Sequence, residues 1–275
     1  MSGTAAIVVA GNPTRVLRKL MIGEQTHLME VMNSGKYFGR DSKGLELPII
    51  GTASISVMFD NIRITRLRER IADMRGRGAY EGWPNAHHAI FIHIPKTGGS
   101  SVAHALFGES RHVPYFEYER VNPRKFWRFF KFGFVRNPWD RLVSTYFFLR
   151  NGGMDELDRR FAAENLTDYN DFAAFVEGWL NEKNIWSWVH FRPQHYFVCD
   201  ANFRPRIDFV GRTETIDADF HYICQRLGIA AELKWNNQSN HRPYNEYYTD
   251  DLRERVAAVY ADDIAVFNYK FVSGG

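Results

Sequence analysis

The sequence predicts an α/β fold: a mainly parallel sheet flanked by helices on both faces, opening on a P-loop-like phosphate-binding strand–loop–helix. Three observations carry this expectation. An apolar run, Ala89 to Ile94, leads through a glycine-bearing loop into a short helix, which reads as a buried strand followed by a turn. A second run, Phe132 to Arg136, passes straight into a helix signalled by Asn137 at the cap and Pro138 at the first helical position. A third, Ile207 to Val210, precedes a helix opening at Asp217. Strands that alternate with helices in this way bury both sheet faces, because each crossover lays a helix on one of them.

The elements follow in order. Ser54 to Phe59 has the composition of a strand, and Asn61 to Met74 spaces Ile64, Leu67, Ile71 and Met74 as one face of an arginine-bearing helix. Gly76, Gly78, Gly82 and Pro84 then break the pattern, which places a domain boundary near residue 85: a region 1–85 of unassigned role and a domain 86–275. After the first strand, Ser100 to Phe107 forms a helix that buries Val102, Ala105 and Leu106 and stops at Gly108. The helix after Asn137 uses Trp139, Leu142, Val143, Tyr146 and Phe147. Asn170 is the expected cap of a helix carrying Phe172, Phe175, Val176 and Trp179. The Asp217 helix turns Phe220, Ile223, Cys224 and Leu227 inward and ends at Gly228. A last long helix starts at Thr249 and runs to about Phe267.

Composition narrows the class. Of 275 residues, 45% are hydrophobic and 24% charged, which excludes disordered and fibrous chains. No run approaches the roughly 18 apolar residues of a membrane span, and Ala5 to Ala10 is too short for a signal sequence. The two cysteines, Cys199 and Cys224, make no disulfide framework, and the expected setting is reducing and cytoplasmic. The formal charge of +3 does not point to nucleic acid. Between Arg111 and Arg141, however, eight basic residues face three acidic ones, so either a solvated basic face or an anion-docking segment is expected there.

The loop Pro95-Lys96-Thr97-Gly98-Gly99-Ser100-Ser101 has the three parts that phosphate binding requires. Small residues let backbone N–H groups converge on the anion, the helix N-terminus adds partial positive charge, and lysine adds a full one. The lysine precedes the glycines, so the loop is not the triphosphatase pattern G-x-x-x-x-G-K-[ST], and no acidic magnesium ligand follows at a strand end.

This loop resembles the first signature of sulfotransferases that use 3′-phosphoadenosine 5′-phosphosulfate (PAPS), where it grips the 5′-phosphosulfate. The second signature of that family is similar to Arg136-Asn137-Pro138-Trp139-Asp140-Arg141-Leu142-Val143-Ser144 throughout. Arg192-Pro193-Gln194, Asp208 to Glu214 and the terminal Phe267-Asn268-Tyr269 resemble the carbohydrate-type and bacterial branches. The likeness covers Ala89 to Phe271. It implies PAPS as co-substrate, no metal, and a hydroxyl acceptor on a carbohydrate or glycoconjugate. A lipid or small-metabolite hydroxyl is the alternative acceptor, and a basic binding module for nucleic acid or an acidic polymer is the alternative class.

Site residues follow from the chemistry and the likeness together. Sulfuryl transfer builds negative charge on the leaving phosphate, so Lys96 is expected at the bridging oxygen and the amides of Thr97 to Ser101 on the phosphate. The resemblance assigns the 3′-phosphate to Arg136 and Ser144, with Arg212 either a third donor contact or a partner of Glu214 or Asp217. A base is needed for the acceptor hydroxyl. His112 is the first candidate, with Glu117 and then Glu119 behind it, while His93 on the strand reads as structural. The aromatic stretch Trp179, Trp186, Trp188 and Phe191 serves either stacking on an acceptor or core packing. No Cys/His cluster or H-E-x-x-H supports zinc.

Overall fold

The computed structural model describes residues 64–234 and 242–272. The expected strand at Ser54 to Phe59, and Asn61 to Arg63 of the early helix, lie outside these residues. Among the described residues three parallel strands form the sheet in the order β1 (Ala89–Ile92), β2 (Phe130–Val135), β3 (Phe209–Arg212). The register pairs Phe91 with Phe132 and Phe134 with Gly211.

Side chains alternate across this sheet, as the two-residue period of a strand dictates. Ala89, Phe91, Phe132 and Phe134 point into a core shared with helix α2 (Gly99–Leu106), which follows the short α1 (Trp83–His87), and with α9 (Ile216–Leu227). Ile90, Ile92 and Val135 point the other way, onto α3 (Tyr115–Val121), α4 (Pro123–Arg128), α8 (His195–Val198) and α11 (Ala261–Val266). Helices thus cover both faces. A third core joins α5 (Pro138–Arg150) to α6 (Glu156–Asn165), α7 (Phe172–Gly178) and α10 (Asp250–Val259). Fully burying an aliphatic or aromatic side chain contributes about 1.5–3 kcal/mol, so these three clusters hold the sheet and its helices together.

Local signals set the helix ends. The Asn137 side chain accepts from the Trp139 amide, and Thr249 from that of Leu252. Gly228 closes α9 in the left-handed conformation. Two boundaries differ from expectation. The cap of α7 is Asp171 and not Asn170, because it is the Asp171 carboxylate that accepts from the Ala174 amide, at 2.8 Å. The last helix is broken at Tyr260 into α10 and α11, and at this break the Tyr260 hydroxyl donates to the Phe191 carbonyl at 2.8 Å.

Within the unit Glu69–Gly275, the end of the early helix, helical over 64–74, is anchored by polar contacts. Asp73 is buried and accepts from Lys125 Nζ and Asn122 Nδ2, both at 2.7 Å, while Glu69 pairs with Arg120. Tyr80 fills the core beneath and donates to the Tyr118 carbonyl. Ile71 and Met74, on the helix's apolar stripe, are exposed.

Candidate active site

The carboxyl ends of all three strands meet at one edge, where open α/β sheets bind their ligands. The strand β1 delivers the loop from Pro95, β2 delivers Arg136, and β3 delivers Thr213. Every carbonyl at the start of the loop is taken by a distant side chain: that of Pro95 by Arg141 Nε at 2.9 Å, that of Lys96 by Arg136 Nη1 at 3.3 Å, that of Thr97 by the Thr213 hydroxyl at 3.0 Å. With the carbonyls so committed, the loop can present the amides that open α2, those of Gly99 and Ser100, while the Ser101 amide donates to the Gly98 carbonyl at 3.0 Å. Gly98 takes φ +77° at the cap, where an added Cβ would come within 2.7 Å of Ile216. Lys96 itself adopts φ +67°, a conformation that costs a non-glycine residue about 1–2 kcal/mol and that persists because the flanking bonds over-determine it.

The Lys96 ammonium lies 3.9 Å from the centre of the Phe148 ring. Burial, and then the charge of Arg136, bring its pKa down to about 8, with Asp158 pulling the other way. Three imidazoles gather beside it. His93, at the end of β1, is buried against Gly99, whose missing side chain leaves the room for it, and its Nδ1 meets the Ser110 hydroxyl at 2.5 Å. His112 places Nδ1 at 3.2 Å from the His93 carbonyl oxygen. A carbonyl only accepts, so Nδ1 carries the hydrogen and Nε2 keeps a lone pair. His190 lies beyond, its ring 5.5 Å from that of His112. Burial, and then His190, bring the His112 pKa down to about 4, and burial also lowers those of His93 and His190. The three rings meet edge to face, and among the described residues no three His, Cys, Asp or Glu side chains converge as a metal site would need.

The second segment is held from behind. Gln194, fully buried, exchanges two hydrogen bonds with the main chain of Arg136, at 2.8 and 2.9 Å. Glu214 accepts from the Asn137 amide at 2.6 Å. The guanidinium of Arg136 is forked onto Asp140, and Ser144 is buried further along the same helix. Arg212 turns away from both carboxylates weighed for it: its Nη2 donates to the Phe267 carbonyl at 2.6 Å and its guanidinium covers the Tyr269 ring. Glu117 is engaged by Arg120 and Glu119 by Arg206, which leaves His112 the base candidate whose lone pair is uncommitted beside the loop.

The basic stretch is mostly structural. Arg120, Lys125, Lys131 and Arg136 have carboxylate partners, Arg141 is buried under the loop, and Arg111, Arg124 and Arg128 stand exposed. The tryptophan stretch is also divided: Trp179 and Phe191 are core, Trp188 stacks on Phe161, and Trp186 is exposed. A cavity of about 1060 Å³ lies between α2 and α9, lined in part by Ser101, His104, Cys224, Gln225 and Lys234. Arg141, Thr213, Gln194, Asp158 and His190, to which the sequence assigns no role, brace this candidate site. Arg141, Gln194 and Thr213 lie inside segments that carry the family likeness, whereas nothing in the spacing marks Asp158 or His190.

Comparison with known proteins agrees with this architecture. The sulfotransferase family model matches residues 85–270. Carbohydrate sulfotransferase 14 of Danio rerio is 26% identical over 166 residues, which are 51% of this chain and 44% of that protein. An uncharacterized protein of Archaeoglobus fulgidus is 27% identical over 114 residues, 42% of this chain and 80% of its own length. The family match takes in more than half of the chain and holds both the phosphate loop and the Arg136 segment, and the protein therefore belongs to the sulfotransferase family.

Proposed function

We propose that the protein transfers the sulfuryl group of PAPS to a hydroxyl of a carbohydrate or glycoconjugate, by in-line displacement with His112 as general base. The observation that carries this reading is the shared anchorage of His112 and Lys96. Both hang from the end of β1, His112 through the His93 carbonyl and Lys96 three residues further along the chain. A base and a cation fixed to one strand end can flank one reacting sulfur.

His112 Nε2 takes the proton as the acceptor oxygen bonds to sulfur. The bond from sulfur to the bridging phosphate oxygen breaks, and its electron pair stays on that oxygen, where Lys96 offsets the new charge. The products are the sulfate ester, 3′-phosphoadenosine 5′-phosphate and protonated His112. Loop amides from Thr97 to Ser101 hold the 5′-phosphate, and Arg136 and Ser144 hold the 3′-phosphate, with Arg212 supporting that pocket from Tyr269. No residue of this scheme calls for a metal. The cavity beside Ser101 has the volume for the adenosine part. The named carbohydrate sulfotransferase among the relatives supports the acceptor class, the family match opens at the proposed boundary of residue 85 while the compact unit extends back to Glu69, and two buried, unbridged cysteines support a cytoplasmic setting.

The test has two stages. A thermal-shift titration should show stabilisation by 3′-phosphoadenosine 5′-phosphate and much less by ADP or AMP, and equal shifts would leave only a general nucleotide site. Labelled PAPS is then offered with desulfated chondroitin, desulfated heparin, simple glycosides, lipid alcohols and small-metabolite alcohols. Transfer confined to the last two would replace the carbohydrate acceptor.

A further inference from the structure

Asp158 and His190 are used by no step of that scheme, yet they are tied to it at both ends. Asp158, in the first turn of α6, is a buried carboxylate that accepts from the Met154 amide at 3.0 Å, from Trp188 Nε1 at 2.9 Å and from His190 Nε2 at 3.2 Å. The His190 carbonyl accepts from Arg141 Nη2 at 3.0 Å, and the same guanidinium holds the Pro95 carbonyl of the loop. The imidazole of His190 stands between the carboxylate and His112, and its Nδ1 is buried with no hydrogen-bond partner. Phe148 packs on His190 from one side and carries Lys96 Nζ on its face.

A carboxylate accepts only, so Asp158 imposes the tautomer in which His190 Nε2 bears the hydrogen. The charged and titratable groups around His190 are His112, Lys96, Arg141 and Asp158, with His93 behind His112. Of these, Asp158 alone is negative. When His112 gains a proton it becomes a new cation beside Lys96 and Arg141, and it is that state which needs a fixed negative charge nearby.

We infer that Asp158 and His190 form a positioning dyad for His112, in which the carboxylate fixes the His190 tautomer and offsets the positive charge that His112 acquires during transfer. The inference rests on the reading of His112 as the base. It follows the logic by which a buried aspartate orients and supports an imidazolium without itself taking the proton.

Long-range proton–nitrogen NMR of the histidine rings, recorded on the full chain from pH 3 to 9, tests it directly. Wild type should show hydrogen on His190 Nε2 and on His112 Nδ1. In Asp158→Asn the His190 hydrogen should move to Nδ1 and the His112 titration should shift to lower pH, while Leu157→Ala, at an exposed neighbour on the same helix, leaves both unchanged. Turnover of labelled PAPS should fall about tenfold or more in Asp158→Asn, with affinity for 3′-phosphoadenosine 5′-phosphate kept within about twofold. An unmoved His112 titration in a folded Asp158→Asn protein, or an equal loss of turnover in Leu157→Ala, overturns the dyad. If Asp158→Asn does not fold, His190→Leu must lower turnover alone with nucleotide affinity intact, and unchanged turnover there also overturns it. Failure of wild type to bind the nucleotide would instead remove the PAPS reading, while the tautomer and titration remain measurable.

Discussion

The guanidinium of Arg136 is forked onto the Asp140 carboxylate, Nε to Oδ2 at 2.8 Å and Nη2 to Oδ1 at 2.7 Å, four residues along the chain. This fixes the plane of the arginine and leaves Nη1 on the Lys96 carbonyl. The salt bridge therefore orients the arginine proposed to hold the 3′-phosphate.

Arg136→Lys keeps the charge and loses the fork. The expected result is a weakening of 3′-phosphoadenosine 5′-phosphate binding by about tenfold to a hundredfold, equivalent to roughly 1.5–3 kcal/mol for a charged hydrogen bond, with AMP binding little changed. Calorimetric titration of both nucleotides checks it, and equal losses would remove the 3′-phosphate role.

The rate should depend on pH in a broad bell. In the proposed scheme His112 must be deprotonated to act as base and Lys96 protonated to act as cation. For kcat/KM, which reports free enzyme, the acid limb is expected at about pH 4 and the alkaline limb at about pH 8, from the buried positions of the two groups. His112→Ala should cost about a hundredfold or more in turnover and leave nucleotide binding intact.

Acidification should destabilise the fold through the same histidine. Burial holds the His112 pKa at about 4, below the usual 6.5 of an unfolded histidine, so the unfolded chain binds more protons throughout that window. Stability is full above pH 6.5 and falls as the pH drops toward 4, by about 3 kcal/mol from His112 alone. Urea unfolding across this range should be measurably flatter for His112→Gln than for wild type.

Gly99→Ala should damage the site without touching a charged group. The new Cβ would strike the His93 ring, which must move, and the His93 carbonyl carries His112. Lower turnover with an intact fold by circular dichroism is expected.

Asp73→Ala should destabilise the fold by about 2–3 kcal/mol, because it strips the buried partner of both Lys125 and Asn122. Chemical denaturation measures this, and a loss below about 0.5 kcal/mol would show that the early helix is not fastened there.

Much of the architecture was legible because it is written in short range. The apolar runs at Ala89 and Phe132, the Asn137-Pro138 start and the Gly228 stop each act within a few residues, and each appears where local chemistry puts it. The misplaced cap at Asn170 is a choice between adjacent good caps, and only the geometry of the Ala174 amide decides it.

The loop Pro95 to Ser101 and the Arg136 segment are each contiguous, so the sequence by itself determined the family. Burial and long-range partnership are not contiguous, and these the tertiary structure decided. It placed His112 under the His93 carbonyl, turned Arg212 to Phe267, took Glu117 into an ion pair, and brought Asp158 within reach of His190 across 32 positions of chain. The reason is physical: a motif records which groups stand side by side along the backbone. The pKa and the tautomer of a buried imidazole depend on what the fold packs around it.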